Sequence, residues 1–372
     1  MAQRIRVLLI IQRLGGGGAQ QVVALLARGL SKEKYEIHLG LVTQASVAAA
    51  SLPPWVTVHA LGARRVRAGV LPLLHLVWRL RPRVILTGAP EVSFLVLLLR
   101  PIFPPKISVL ARQTGTVSAA LAFGGLPRYT RWLYQVLYRH ADRLICESRA
   151  MAEDLAREIG IGEEKIAVLP NPVDLEGIRQ AEDAPSAWNG PGPHLLAVGR
   201  LAPEKGFDLL LEALATVRGR FPHADLTIAG AGREETALKS LCRSLGLEDS
   251  VRFAGQVDCP YAFFPGATLF VLSSHHEGMP NALLEASAAG LPLVAVPASG
   301  GVVDLLRRQP GAWLAPEISS EALATTLLAA LDAIRPRERF CRGFFTSADD
   351  MAAQKTYLGE QDAPGSQAPA YD

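Results

Sequence analysis

Short apolar segments recur along this chain with helix-length stretches between them, and that alternation is the strongest constraint on its fold. Residues 5–11, 36–42, 84–87, 107–111, 143–146 and 166–169 read as strands, and helices fit between them at 19–30, 127–140 and 148–159. Strand–helix alternation of this kind implies a parallel sheet with helices covering both faces. Residues 181–193 interrupt the pattern with Pro, Gly and acid, as a linker does. A second series follows, with strands at 194–198, 225–229, 251–254, 268–272 and 291–296 and helices at 207–219, 234–245 and 280–289. The expected fold is α/β, with doubly wound domains at 1–180 and 194–345 joined by the 181–193 linker. A helix at 346–359 is expected to return to the first domain, and 360–372 to be a disordered tail. Ligands of such sheets bind at the carboxyl ends of the strands.

A chain of 372 residues suits two domains, and 49% hydrophobic content is enough for buried sheets. Cys146, Cys242, Cys259 and Cys341 share no close spacing, which argues against a zinc site or a disulfide framework and suits a reducing cytosol. The N-terminal residues run directly into an apolar strand, without the pattern of a signal peptide. The apolar run 92–99 is cut by Arg100 and Pro101 and is too short to span a bilayer. The expected location is therefore the cytoplasm.

The net charge of +3 hides an asymmetry. Residues 1–149 hold 20 Lys and Arg against 5 Asp and Glu, a balance of +15; the remainder is at −12. Arg64, Arg65 and Arg67, then Arg79, Arg81 and Arg83, flank the apolar helix candidate 70–80. A basic amphipathic segment of this kind can lie on an anionic membrane without crossing it. Ordinary surface arginine is the plainer reading. The expectation is a peripheral protein on the inner face of the cytoplasmic membrane. Nucleic acid is not expected, since basic and aromatic residues are not interleaved.

Three loops at strand ends have the character of anion sites. The first is Gly15-Gly16-Gly17-Gly18, where glycine lets backbone approach a phosphate and a helix start adds a favourable dipole. A dinucleotide site would need an acid at the end of the next strand, but that strand ends Gly40-Leu41-Val42-Thr43-Gln44. The second loop, 199–206, brings Arg200 and Lys205 to a strand end. The third holds Glu277 and Glu285, eight residues apart, with Pro280 placed for the first position of a helix. Each loop also has a plain reading: a turn, a pair of surface cations, a carboxylate on a helix dipole. No Asp-x-Asp pair or His/Cys cluster has metal-ligand spacing.

The Glu277–Glu285 stretch, His-Glu-Gly-Met-Pro-Asn-Ala-Leu-Leu-Glu, resembles the E-x7-E motif of the retaining GT-B glycosyltransferases of family 4. The segments 198–206, 169–174, 228–232 and 253–255 resemble family segments in the family's order, so the resemblance covers almost the whole chain. It implies a GT-B fold of two Rossmann-like domains facing a cleft, with an N-terminal acceptor domain and a C-terminal nucleotide-sugar domain. It further implies that Arg200 and Lys205 bind the donor diphosphate and stabilise the departing nucleotide. Glu277 would contact the transferred sugar and Glu285 the ribose. Gly16, Gly17, Gly255, Gly278, Met279, Asn281 and Ala282 would complete the donor site. No metal or other cofactor is implied, the nucleotide sugar being a co-substrate.

On the acceptor side the chain departs from the family. Arg112-Gln113-Thr114 stands where many relatives carry a histidine, so Arg112 and Thr114 are the candidate acceptor contacts, against a structural role for the arginine. Asp304 follows Gly300-Gly301 where the family has Glu. The expected activity is transfer of a hexose or N-acetylhexosamine from a nucleotide sugar, with UDP the expected nucleotide, to a glycan assembled on a lipid carrier. The alternative is a non-catalytic GT-B subunit that binds nucleotide or glycan in support of a partner.

Overall fold

The computed structural model describes residues 4–15, 17–43, 52–123, 129–257, 259–307 and 309–334. The expected helix at 346–359 and the tail at 360–372 lie outside the described residues, as does Gly16. The chain forms two compact units that meet in sequence at Pro172–Val173. This is before the boundary expected at residue 180, because the helix at Leu175–Glu182 packs with the second unit.

Among the described residues the first unit carries seven strands: β1 (Ile5–Ile11), β2 (Tyr35–Leu41), β3 (Val56–Ala60), β4 (Val84–Thr87), β5 (Ser108–Arg112), β6 (Arg143–Cys146) and β7 (Ile166–Val168). They pair in parallel in the order β3-β2-β1-β4-β5-β6-β7. Its helices are α1 (Gly18–Gly29), α2 (Val70–Leu80), α3 (Pro90–Leu99), α4 (Val117–Phe123), α5 (Tyr129–Leu137) and α6 (Arg149–Ile159).

Side chains on a strand alternate between faces, and β1 uses both. Val7, Leu9 and Ile11 join Val22, Val23 and Leu26 of α1 in one core, while Leu8 and Ile10 join α2, α3 and α6 in another. A sheet buried on both sides explains why its strands read as unbroken apolar runs. Each Leu or Ile buried there contributes roughly 1.5–3 kcal/mol. Helix ends follow local chemistry. Ser148 Oγ accepts from Met151 N–H to start α6, and Gly160, at φ 67°, ends it.

The second unit begins with α7 (Leu175–Glu182) and pairs six strands in parallel in the order β10-β9-β8-β11-β12-β13. These are β8 (His194–Val198), β9 (Asp225–Ala229), β10 (Val251–Gly255), β11 (Leu269–Leu272), β12 (Leu293–Ala295) and β13 (Ala312–Leu314). Around them lie α8 (Phe207–Arg218), α9 (Glu235–Ser244), α10 (Asn281–Ala288), α11 (Gly300–Arg307) and α12 (Ser320–Ala333). The linker sequence at 181–193 is tied to this unit: Trp188 Nε1–H donates to Phe263 O at 2.8 Å, and its ring stacks on His194.

Edge strands β3 and β13 are additions to the sequence reading. Both are short, with side chains that are mostly half-buried or exposed; β3 includes Thr57 and His59, and β13 is only three residues long. No described helix is long and apolar enough to cross a membrane.

Candidate functional site

Strands β8 and β11 are neighbours in the second sheet, so the loops at their carboxyl ends lie side by side. Backbone joins them. His275 N–H donates to Glu204 O at 2.9 Å, and Ser273 Oγ–H donates to Lys205 O at 3.0 Å. Gly206, the residue that starts α8, sits at φ 58°, and a Cβ there would lie 2.2 Å from Ser273 O. The loop after β9 closes in equally tightly: a Cβ on Gly230 would meet Gly199 O at 1.8 Å, and one on Gly232 would meet Leu201 O at 2.1 Å. Glycine at these points lets three strand-end loops share one small volume.

That convergence sets Lys205 beside Glu277. Lys205 Nζ donates to Glu277 Oε1 at 2.5 Å, and Ser274 Oγ–H donates to the same oxygen at 2.7 Å. Both side chains of the ion pair are mostly buried. Glu277 N–H donates to Ala298 O at 3.2 Å, and Ser299 Oγ–H donates to Gly278 O at 3.3 Å, so the loop before α11 backs this segment.

Arg200 is placed differently. Its guanidinium is largely exposed and donates to Glu204 Oε1 at 2.6 Å, one turn along the chain. Burial works against the charge of Glu204, but its own backbone N–H and Arg200 hold the carboxyl below the ordinary range. The two cations therefore share a loop while facing separate carboxylates.

Helix α10 begins at Asn281, with Pro280 as the residue before it rather than in its first position. Pro280 O accepts from Leu283 and Leu284 N–H. The N–H of Ala282 belongs to the first turn, where a helix has no earlier carbonyl to serve it. Glu285 lies on the inner side of α10 at 5% exposure, which rules out a surface glutamate. Tyr261 O–H donates to its Oε1 at 3.2 Å. Burial, then the Glu285 charge, pushes the Tyr261 hydroxyl far above its usual range, so it remains a donor. Gly255 ends β10 at φ 70°, beside a register shift, and accepts from Gly230 N–H at 2.8 Å; a Cβ there would meet nothing. Met279 and Ala282 pack on the core of the unit.

Asp304 is exposed one turn into α11. Among the described residues no hydrogen bond or ion pair joins it to Glu277 or Lys205. In the first unit, Gly17 precedes α1 with extended backbone, and the space beyond its Cα is open. Thr114 is half-buried after β5.

Arg112 is tied into the first unit. It is buried at 2% exposure, and Nη2 donates to Glu147 Oε1 at 3.0 Å and to Asn171 Oδ1 at 2.5 Å. Through this one nitrogen the arginine ties the end of β5 to the segments after β6 and β7, while its buried Nε and Nη1 have no hydrogen-bond partner among the described residues.

Sequence reading passed over Glu204, Ser274 and Tyr261. The first two carried a local signal, Glu204 standing four residues after Arg200 and Ser274 three before Glu277. Tyr261 had none, since its partner is distant in the chain. Among the described residues no group of three His, Cys, Asp or Glu side chains could hold a metal ion.

Residues 16–176 match the family model described as Glycosyltransferase Family 4, and residues 178–342 match Glycosyl transferases group 1. The lipopolysaccharide core biosynthesis glycosyltransferase LpsE of Rhizobium meliloti is 31% identical over 62% of this chain and 60% of its own. The chain thus spans less than two thirds of that relative. In Campylobacter jejuni, the N-acetylgalactosamine-N,N'-diacetylbacillosaminyl-diphospho-undecaprenol 4-alpha-N-acetylgalactosaminyltransferase is 28% identical over 80% of this chain and 82% of its own. The structure of Anabaena Alr3699/HepE in complex with UDP and glucose superimposes with a TM-score of 0.73, at 18% identity, over 97% of this chain and all of that one. With two adjoining family matches across most of its length and this fold, the chain belongs to the GT-B glycosyltransferases of family 4.

Proposed function

We propose that the protein is a retaining glycosyltransferase that moves a hexose or N-acetylhexosamine from a UDP sugar to a lipid-linked glycan of the cell envelope. The observation that carries this reading is the Lys205–Glu277 pair, held where the ends of β8 and β11 meet. A departing nucleoside diphosphate gathers negative charge on its bridging oxygen, and fixed cations stabilise that charge in the transition state. Lys205 and Arg200 take this role, so the reading needs neither a metal ion nor another cofactor.

Glu277 accepts from hydroxyls of the transferred sugar and Glu285 from the ribose. Backbone N–H groups of Gly278, Met279, Asn281 and Ala282 are assigned to sugar and phosphate, with Gly255 beside the base. Asp304 is assigned to the edge of that site. In the transfer step the bond from the anomeric carbon to the bridging phosphate oxygen breaks. The acceptor hydroxyl oxygen bonds to that carbon on the same face, and its proton passes to the leaving phosphate.

Support for UDP is the Anabaena neighbour's complex with UDP and glucose. Support for a lipid-linked acceptor is the name of the Campylobacter relative, which specifies a diphospho-undecaprenol glycan, and that of the Rhizobium relative points to the envelope. Thr114, at the end of β5, is assigned to the acceptor side. The positive first half suits an anionic membrane surface, where such acceptors lie.

A thermal-shift titration with UDP, other nucleoside diphosphates and their sugars tests the reading. Ligand at a hundred times its Kd stabilises the native state by about 2.7 kcal/mol, a rise in Tm of roughly 5–10 °C for units of this size. Turnover of a UDP sugar with retained anomeric configuration in the product is the expected companion result. No response to any nucleotide would move the protein to the non-catalytic subunit reading.

A further inference from the structure

Three of the five tryptophans of the chain are exposed, Trp55, Trp78 and Trp132, and all three belong to the first unit. Trp78 shares a face of α2 with Leu71, seven residues earlier, while Leu73, Leu76 and Val77 are buried on the other side. Trp78 Nε1–H donates to Ile102 O at 3.0 Å, which sets the turn after α3 against the end of α2. On α5, Tyr129 and Trp132 lie three apart on the outer face, with Thr130, Tyr134 and Leu137 buried beneath.

Helix α3 joins the two exposed faces. Its Phe94 ring meets Tyr134 of α5 edge-on at 4.8 Å, and α2 also packs against α3. One turn beyond Phe94, Leu98 faces outward. The six residues Leu71, Trp78, Leu98, Ile102, Tyr129 and Trp132 are between 50% and 76% exposed. Isolated exposed apolar residues need no explanation, but a group on three packed helices does.

Their setting is cationic. Residues 52–123 contain nine Lys and Arg, of which Arg112 is buried and Arg100 is paired with Asp142, and a single acid, Glu91. Arg64, Arg65, Arg67, Arg79 and Arg81 are all exposed along or beside α2. Tryptophan and tyrosine favour the headgroup level of a bilayer, and each nearby cation adds about 1 kcal/mol of attraction to anionic lipid. A partner protein of ordinary composition would explain the apolar face without needing this charge.

We infer that the α2–α3–α5 face of the first unit docks on an anionic lipid bilayer, with Trp78 and Trp132 entering the headgroup region and the arginines pairing with lipid phosphates. The inference deepens the membrane part of the proposed function and rests on it only for the usefulness of docking. It replaces attraction by charge alone with insertion at named side chains.

Sedimentation with vesicles of phosphatidylglycerol and phosphatidylcholine tests it, with no donor or acceptor present, so its outcome is separate from that of the transfer chemistry. The full chain is expected to bind mixed vesicles, to bind pure phosphatidylcholine much more weakly, and to shift its tryptophan emission to the blue. Trp132→Ser should lower partitioning roughly tenfold while leaving Tm unchanged; Trp78→Ser should lower it similarly with a small loss of Tm from the missing bond to Ile102 O, and the double variant should combine the two losses. Raising salt to 0.5 M should weaken binding of the wild type, since screening acts over a few ångströms there.

Equal binding to neutral vesicles, or unchanged partitioning of the double variant, would overturn the inference. So would a dimer that forms without lipid and is lost in both variants, which would assign the face to a second copy of the chain.

Discussion

Lys205 Nζ lies 2.5 Å from Glu277 Oε1, though the two residues are 72 apart in sequence. Without ligand, each neutralises the other in a mostly buried setting. The proposed chemistry asks Lys205 to face a diphosphate, which competes with Glu277 for the same ammonium. Glu277→Gln should therefore leave UDP binding unchanged or tighten it by up to about tenfold, since removing the carboxylate releases the lysine. Turnover should fall by roughly a hundredfold or more, because the sugar loses a charged acceptor. Calorimetric titration with UDP beside steady-state kinetics checks the split. A parallel loss of UDP affinity and turnover would contradict it.

Tyr261 is predicted to act through Glu285. Its hydroxyl donates to a carboxylate that is 5% exposed, and a lost hydrogen bond to a buried charge costs about 1.5–3 kcal/mol. Tyr261→Phe keeps the ring and its packing against Phe264. The expected result is a KM for the donor raised roughly tenfold with kcat within about twofold, since the ribose does not react. A variant with lowered kcat and unchanged KM would instead place Tyr261 nearer the reacting carbon.

The sequence made much of this site legible. Its strands were visible because sheets covered on both faces leave unbroken apolar runs, and the loops after them were visible through Gly, Arg, Lys and Glu at strand ends. What it withheld was direction. Arg200 and Lys205 read as a pair of equals, but only Lys205 reaches Glu277, and Arg200 turns to Glu204. Arg112 read as a cation for a ligand or a structural residue; its partners, the carboxylate of Glu147 and the amide of Asn171, follow later strands and leave no local mark. The strand β3 was missed because Thr57 and His59 break its apolar run, and β13 because three residues are too few to stand out.

Gly206 is predicted to be irreplaceable for a reason separate from chemistry. Its φ of 58° disfavours any side chain, and a Cβ would press on Ser273 O at 2.2 Å, a backbone atom that cannot swing away. Gly206→Ala should cost about 2–4 kcal/mol and lower Tm accordingly. Gly246 offers the control. It has a comparable φ of 67° but open space around it, so Gly246→Ala should cost only the conformational part, about 1 kcal/mol. Equal losses in the two variants would show that the contact with Ser273 carries no weight.

His38 and His59 make the first unit sensitive to acid. His38 Nδ1 and His59 Nε2 are 3.0 Å apart, so one must donate and the other accept. Protonating both would set two N–H groups face to face. Burial, then the charges of His38 and Arg79, holds His59 below its usual range. A group whose pKa is lowered on folding contributes stability present above its unfolded value and lost as pH falls through the folded one. For His59 the unfolded value is about 6.5, so stability should decline as pH drops below about 6.5. His59→Asn cannot take up the proton, and its melting curve should be flatter across pH 7 to 5. The wild type should lose about 2–4 °C in Tm for each 1 kcal/mol that the proton costs. Nearby Glu36, which accepts from Arg6 and His38, has a carboxyl held below the ordinary range despite its desolvation, so its loss falls at lower pH and separates from the histidine step. A His59→Asn protein with the wild-type slope between pH 7 and 5 would assign that slope to other groups.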